Sequence, residues 1–138
     1  MPHASLSRIP PLAAAVLAFA LAAPGSAGAQ EPEKEPFTEA RFEELQDQGA
    51  YVLLDVFADW CPTCAAQQKV LAAFQEEHPD APLHMLSIDF DDRKDLVRHF
   101  EAPRQSTLIL YHGTERVWFS VAETRRDVIF DALAAATR

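Results

Sequence analysis

Apolar residues occur along this chain in short runs that polar, proline-bearing or glycine-bearing segments separate. The run "YVLLDVFA" is almost wholly apolar over the length of a strand, which predicts a central strand buried on both faces. Three more apolar runs of strand length follow, and a glycine-bearing hairpin signal separates the last two. The predicted strands cover residues 51–58, 82–90, 106–112 and 116–121.

The segments around these strands carry helix signals. Thr38 can cap a helix that Gly49 ends, and apolar positions recur at helical spacing within residues 61–78. Asp92 and Thr124 are each predicted to open a further helix. Strand-helix-strand units form parallel pairs by right-handed crossover, and the terminal hairpin adds antiparallel strands. The sequence therefore predicts an α/β domain with a four-stranded mixed sheet sandwiched by helices.

The first residues of the chain have a different composition. Arg8 precedes an Ala/Leu run over residues 12–23, and small residues follow, which is the pattern of a secretory signal peptide over residues 1–29. A membrane anchor is the alternative, but the apolar run is shorter than the roughly 20 residues that a spanning helix needs. Residues 30–36 are charged and proline-bearing, which predicts a flexible lead before a domain over residues 37–138.

The acidic charge balance excludes one class of function. The chain has 12 Lys and Arg against 21 Asp and Glu, and its net charge of −9 becomes −10 once the predicted signal, with one arginine and no acid, is removed. Nucleic-acid binding needs a basic surface, so we expect no nucleic-acid partner. We expect a monomer in the periplasm or outside the cell, without stable membrane insertion after signal cleavage.

Both cysteines of the chain lie where the first predicted strand passes into the next helix. Cys61 falls at the helix start, where unpaired N–H groups and the helix dipole favour a thiolate. We therefore expect a Cys61 pKa below that of a free cysteine. Cys64 lies three residues on, close enough to form a disulfide and to resolve a mixed disulfide on Cys61.

Other uses of these cysteines are less well matched to the sequence. A disulfide that closes so small a loop restrains little of the unfolded chain, so it would be a poor structural staple. Zinc normally takes four ligands, and the sequence has no second cysteine pair. The histidines of the mature chain are scattered along it: His78, His84, His99 and His112. The spacing therefore favours redox chemistry, and we expect no cofactor.

The stretch "LLDVFADWCPTC" resembles the active-site region of the thioredoxin family, and the element order resembles that family over residues 37–137. The resemblance implies a thioredoxin-like fold, with Cys61 as the nucleophile and Cys64 as the resolving cysteine. It also implies that Trp60 shields the site and that Asp55 is the buried acid that helps move the proton of the resolving thiol. An acid in an apolar strand is costly to bury in its ionised form, which suits a general base.

The resemblance also implies which residues contact the substrate peptide: Trp60 just before the cysteines, Pro62 and Thr63 between them, and Ser106 and Thr107 on the facing loop. Pro62 removes one N–H near the Cys61 thiolate, whereas the Thr63 hydroxyl can supply a donor. Ser106 stands where the family usually has a cis-proline. A cis bond before serine costs about 2.5–4 kcal/mol, so we expect a trans or strained Gln105–Ser106 bond, with a serine N–H and hydroxyl near the cysteines.

Two further positions differ from the family pattern. Ser87 takes the place of a charged residue that often neighbours the buried acid, so we expect Asp55 to lack an ion-pair partner. Ala122 takes the place of a glycine that often follows the last strand.

These observations predict an exported thiol-disulfide oxidoreductase with protein disulfides and dithiols as substrates. The resemblance favours the reducing direction, with electrons from a membrane electron-donor protein. One alternative is a carrier that binds a metal or an iron–sulfur cluster through the same two thiolates, which Ser106 would permit between two copies. Another is a redox-inert binding module in which the pair stays oxidised.

Overall fold

The computed structural model describes residues 31–137, which form a mixed five-stranded sheet with helices on both faces. In chain order the elements are β1 (Glu35–Pro36), α1 (Glu39–Asp47), β2 (Tyr51–Phe57), α2 (Pro62–Glu77), β3 (Leu83–Asp89), α3 (Lys94–His99), β4 (Thr107–His112), β5 (Glu115–Val121), α4 (Arg126–Leu133) and a final 3₁₀ turn (Ala134–Thr137). The signal peptide predicted for residues 1–29 lies outside this range. No helix within 31–137 has the length and apolarity needed to cross a membrane.

The sheet has the strand order β1-β3-β2-β4-β5. Strand β2 lies at its centre, parallel to β3 and antiparallel to β4, and β4 and β5 form the predicted hairpin. The two-residue turn of this hairpin contains Gly113, whose positive φ of 56° suits glycine. The predicted α/β class and mixed sheet are confirmed, and the sheet has one strand more than the four predicted.

The additional strand β1 falls within residues 30–36, which the sequence predicts to be a flexible lead. Glu35 and Pro36 instead pair in parallel with Leu86 and Ser87 of β3, and the Ser87 hydroxyl donates to the Glu35 carbonyl at 3.2 Å. Two residues, one of them proline, are too short a run to give a periodic strand signal.

Two apolar cores lie on opposite faces of β2, because successive side chains of a strand point to opposite sides. Val52, Leu54 and Val56 pack in the core that includes α1 and α3 residues, while Leu53 packs against Leu71 of α2 in the second core. Asp55 points to the same face of β2 as Leu53, and there it contacts α2. The central strand therefore places one carboxylate beneath the helix that begins at the cysteines.

Helix starts follow the predictions only in part. The Thr38 hydroxyl accepts the N–H of Arg41 at 3.2 Å and caps α1 as expected. The last helix begins at Arg126 rather than at Thr124, because the Glu123 carboxylate binds the N–H groups of Thr124 and Arg125 in the segment before the helix.

Helix α3 likewise begins at Lys94, with Arg93 rather than Asp92 at its N-cap. The Asp89 carboxylate accepts the N–H groups of Asp91 and Asp92 at 2.7 and 2.9 Å, so these residues form a turn after β3.

Candidate active site

Cys61 is the N-cap residue of α2, four residues after β2 ends at Phe57. Its backbone is extended, and its sulfur accepts the N–H of Cys64 at 3.2 Å, a contact that an N-cap side chain makes with an otherwise unpaired donor. Pro62 occupies the first turn, where a missing N–H costs nothing. Cys61 therefore lies at the helix start, as the sequence predicts.

Both cysteines are buried, with 3% of Cys61 and 2% of Cys64 exposed, and both are free thiols. Burial opposes ionisation of Cys61, but the donors around its sulfur outweigh burial and lower the pKa of Cys61. These donors are the Cys64 thiol, the Ser106 hydroxyl, and the backbone N–H groups of Cys64 and Thr63. The two thiols thus differ, because burial and the neighbouring Cys61 sulfur raise the pKa of Cys64.

Ser106 connects the two sulfurs from the opposite side. Its hydroxyl oxygen lies 3.2 Å from the Cys61 sulfur and 3.3 Å from the Cys64 sulfur, and the residue is fully buried. Residues 31–137 contain no cis peptide bond, and Ser106 has a positive φ of 65°, a strained conformation for a residue with a side chain. Its N–H is not directed at the cysteines, because it donates to the Val56 carbonyl at 2.8 Å.

Gln67 of α2 holds this loop in place. Its side-chain amide donates to the carbonyl of Ser106 at 3.1 Å and to that of Glu123 at 2.9 Å, while its own Oε1 is buried and has no hydrogen-bond partner within residues 31–137. The backbone N–H of Ala122 also donates to the Ser106 carbonyl, at 2.8 Å. Helix α2 therefore fixes both the cysteines and the residue that faces them.

Asp55 has an ion-pair partner, so the expectation that it would lack one is wrong. Lys34 Nζ lies 2.8 Å from Asp55 Oδ2 and donates at 2.7 Å to the Gln68 side-chain oxygen, and the Gln68 amide donates to the same Asp55 oxygen at 2.9 Å. The lysine comes from the segment just before β1, and its ammonium also lies 4.3 Å from the Phe57 ring centroid. Asp55 Oδ1 is buried and has no partner among the described residues.

The remaining predicted residues take different positions. Trp60 is 63% exposed beside Cys61, and its indole N–H donates to the Asp91 carboxylate at 2.7 Å. Pro62 is exposed. Thr107 is buried, and its hydroxyl donates to the Arg104 carbonyl at 2.7 Å, so this hydroxyl is engaged in the loop itself.

Sequence reasoning missed Lys34, Gln67 and Gln68. The glutamines carry a usable signal, because they lie three and four residues after Cys64 and so share its face of the helix. Lys34 has no such signal in the sequence, since it is one of several charged residues in a short acidic lead.

No group of three or more His, Cys, Asp and Glu side chains among residues 31–137 is arranged to hold a metal ion. A metal or cluster bound by Cys61 and Cys64 would therefore need further ligands from outside this part of the chain.

The fold and the paired cysteines at the head of α2 define a thiol–disulfide oxidoreductase domain. The chain belongs to the thioredoxin family, because the family profile described as Thioredoxin matches residues 33–135.

Individual relatives agree with this assignment. The crystal structure of Trxlp from Edwardsiella tarda EIB202 is 37% identical with a TM-score of 0.69, covering 73% of this chain and 98% of that one. The thioredoxin of Alicyclobacillus acidocaldarius subsp. acidocaldarius is 30% identical over 76 residues, which are 55% of this chain and 71% of that protein. Thioredoxin-2 of Pyricularia oryzae is 26% identical over 76 residues, and the match spans only 43% of its length.

Proposed function

We propose that this protein is an exported thiol–disulfide oxidoreductase that reduces disulfides in partner proteins through Cys61 and Cys64. The observation that carries the proposal is the asymmetry of the pair. Burial opposes ionisation of both thiols, but hydrogen bonds from Cys64, Ser106 and Thr63 outweigh it and lower the pKa of Cys61, whereas burial raises the pKa of Cys64. One sulfur is thus prepared to attack while the other keeps its proton until it is needed.

The reaction proceeds in two exchanges. The Cys61 thiolate attacks one sulfur of the substrate disulfide, so a Cys61–substrate bond forms and the other substrate sulfur leaves as a thiolate. Cys64 then loses its proton and attacks the Cys61 sulfur, which releases the second substrate thiolate and leaves the Cys61–Cys64 disulfide. Two electrons pass from the protein to the substrate.

Asp55 is the proposed acceptor of the Cys64 proton. It is buried and contacts α2 through Gln68, which lies one helical turn after Cys64 on the same face. Its Oδ1 has no hydrogen-bond partner among the described residues, so this is the oxygen to which we assign the proton. The contacts of Oδ2 with Lys34 and Gln68 fix the orientation of the carboxylate.

Export and electron supply complete the proposal. The signal-peptide pattern over residues 1–29 supports a periplasmic or secreted location, where a reductase needs electrons from a membrane donor protein. The family resemblance around Asp55 supports the reducing direction. The acidic charge supports a monomer that remains dissolved after signal cleavage.

Mixed-disulfide trapping tests the proposed roles of the cysteines. Cys64→Ser should retain partner proteins covalently on Cys61, and Cys61→Ser should retain almost none. Reducing agent should release the trapped proteins, which separates disulfide partners from other contacts. Equal trapping by both variants would contradict the assignment.

The reduction potential tests the direction. Equilibration of the Cys61/Cys64 pair against glutathione, with metal content measured first, should give a value near −270 mV, the potential of thioredoxin. A value near −120 mV would instead indicate a disulfide-forming oxidant. Bound metal without a measurable couple would favour the carrier alternative.

A further inference from the structure

Ser106 makes direct contact with both reacting atoms of the site. Its hydroxyl oxygen is nearly equidistant from the sulfurs of Cys61, at 3.2 Å, and Cys64, at 3.3 Å. A serine hydroxyl has one donor hydrogen and two acceptor lone pairs, so it can donate to one sulfur while it accepts from the other. A proline at this position would carry no such group.

Hydrogen bonds on both sides of Ser106 fix the backbone that carries this hydroxyl. Ser106 donates its N–H to the Val56 carbonyl at 2.8 Å, and its carbonyl accepts from Gln67 and from the Ala122 N–H. The left-handed φ of 65° costs free energy for serine, and such strain persists where surrounding contacts over-determine a conformation. The serine backbone is therefore fixed, and from it the side chain places the hydroxyl oxygen within hydrogen-bond distance of both sulfurs.

We propose that the Ser106 hydroxyl is a catalytic group that donates its hydrogen bond first to the Cys61 thiolate and then, in the mixed disulfide, to the Cys64 thiolate. This inference rests on the proposed function and assigns a further group to the same site.

The two sulfurs need the donor at different times. Once Cys61 ionises, the negative charge lies on its sulfur, and the Ser106 hydroxyl donates to that sulfur beside the Cys64 thiol. Once Cys61 is bonded to the substrate it carries no charge. As Cys64 loses its proton to the base, the hydroxyl hydrogen rotates towards Cys64 and stabilises the second nucleophile. No covalent bond to Ser106 forms or breaks.

The other donors cannot serve both steps equally. The Cys64 N–H and the Thr63 N–H are part of the α2 start and contact Cys61, whereas a backbone hydrogen bond from Ala58 reaches Cys64. Ser106 alone among these donors contacts both sulfurs, and its hydrogen bond lowers the pKa of each. A single hydroxyl can thus donate to whichever of the two sulfurs carries the negative charge at each step.

The test uses DTNB, an aromatic disulfide that releases a coloured thiolate, TNB. The Cys61 thiolate releases one TNB as it forms a Cys61–TNB disulfide, and the Cys64 thiolate releases the second as it closes the protein disulfide. Stopped-flow absorbance of the reduced full chain separates these phases between pH 6 and pH 9. Cys64→Ser defines the first phase, because it can release only one TNB.

Two variants remove the hydroxyl with different effects on the backbone. Ser106→Ala keeps the strained φ, whereas Ser106→Gly relieves it and should remain folded even where alanine is not tolerated. Both variants should slow the second phase about tenfold and weaken the acid ionisation constant of Cys61 about tenfold, since each loses a hydrogen bond to a charged group. Ser120→Ala removes a hydroxyl from β5 and should leave both phases unchanged.

The outcomes separate this inference from the proposed function. If both phases of the wild-type protein are present and both Ser106 variants match it within twofold, the role of Ser106 is wrong and the redox pair stands. Slow phases in only one of the two variants would indicate a backbone effect and would also overturn it. A wild-type protein that releases no second TNB would contradict the proposed function itself.

Discussion

Replacement of Lys34 by methionine should destabilise the fold, although the sequence predicts that this residue lies in a flexible lead. The change keeps a long apolar stem near Phe57 but removes the ammonium that contacts Asp55 at 2.8 Å. Asp55 is fully buried, and the Lys34 side chain is only 14% exposed. The carboxylate would keep one donor, Gln68, and no opposite charge.

The magnitude follows from leaving a buried charge without its partner. Breaking a buried ion pair from one side costs about 3–5 kcal/mol. Because the Lys34 side chain is partly exposed, we expect the lower end of this range, about 3 kcal/mol. Since domains of this size unfold with about 5–15 kcal/mol, that loss is a large share of the total. Urea unfolding of the reduced full chain, followed by circular dichroism, measures it.

A double-mutant cycle with Asp55→Asn isolates the ion pair from other effects of Lys34. In the Asp55→Asn background the lysine change should cost under about 1 kcal/mol, because the remaining amide is neutral. Lys69→Met, on the exposed side of α2, is the control and should stay within about 0.5 kcal/mol of wild type. Equal costs of Lys34→Met in both backgrounds would refute the reasoning.

Two further predictions concern ionisation. Iodoacetamide should alkylate Cys61 before Cys64 in the reduced protein. The alkylation rate of Cys61 should rise with pH through a midpoint below the ordinary cysteine pKa of 9.0, because the hydrogen bonds to Cys61 outweigh its burial. Mass spectrometry of quenched samples checks this, and preferential labelling of Cys64 would contradict it. The Arg125 guanidinium and nearby N–H groups lower the pKa of Glu123 to about 2, so an NMR titration should find this carboxylate ionised down to that pH. Arg125→Met should move the titration midpoint up towards 4.5. An unchanged midpoint would show that Arg125 is not the cause.

The sequence predicts most of the sheet because its signals are local. Residues 51–58 are continuous in apolar character, and buried strand β2 occupies all but the last of them. The hairpin is recognisable from a glycine between two apolar runs. Helix starts are less predictable, because the Asp89 carboxylate binds the N–H of Asp92 and the Glu123 carboxylate binds that of Thr124, which holds both residues in the segment before their helix.

The candidate site is predictable where its residues are neighbours in the chain. Cys61, Pro62 and Cys64 fall on one helix start, and their spacing predicts both their proximity and the lowered pKa of the first thiol. The position of Ser106 against both sulfurs requires the fold, because more than 40 residues separate it from each cysteine. Its positive φ has no local signal either, since serine rarely adopts this conformation.

The ion-pair partner of Asp55 shows why a partner predicted from one matching sequence position can be wrong. In the sheet, Asp55 pairs with Ser87, and Ser87 pairs with Pro36, so the three residues form one row across β2, β3 and β1. Ser87 carries no charge to neutralise the acid. Lys34 is not part of this row, but it lies two residues before Pro36 and its ammonium contacts Asp55. A buried carboxylate requires a compensating charge, not a charge at one particular sequence position. A serine at position 87 therefore does not exclude an ion pair for Asp55, and the residue that forms it depends on which strand lies next to β3.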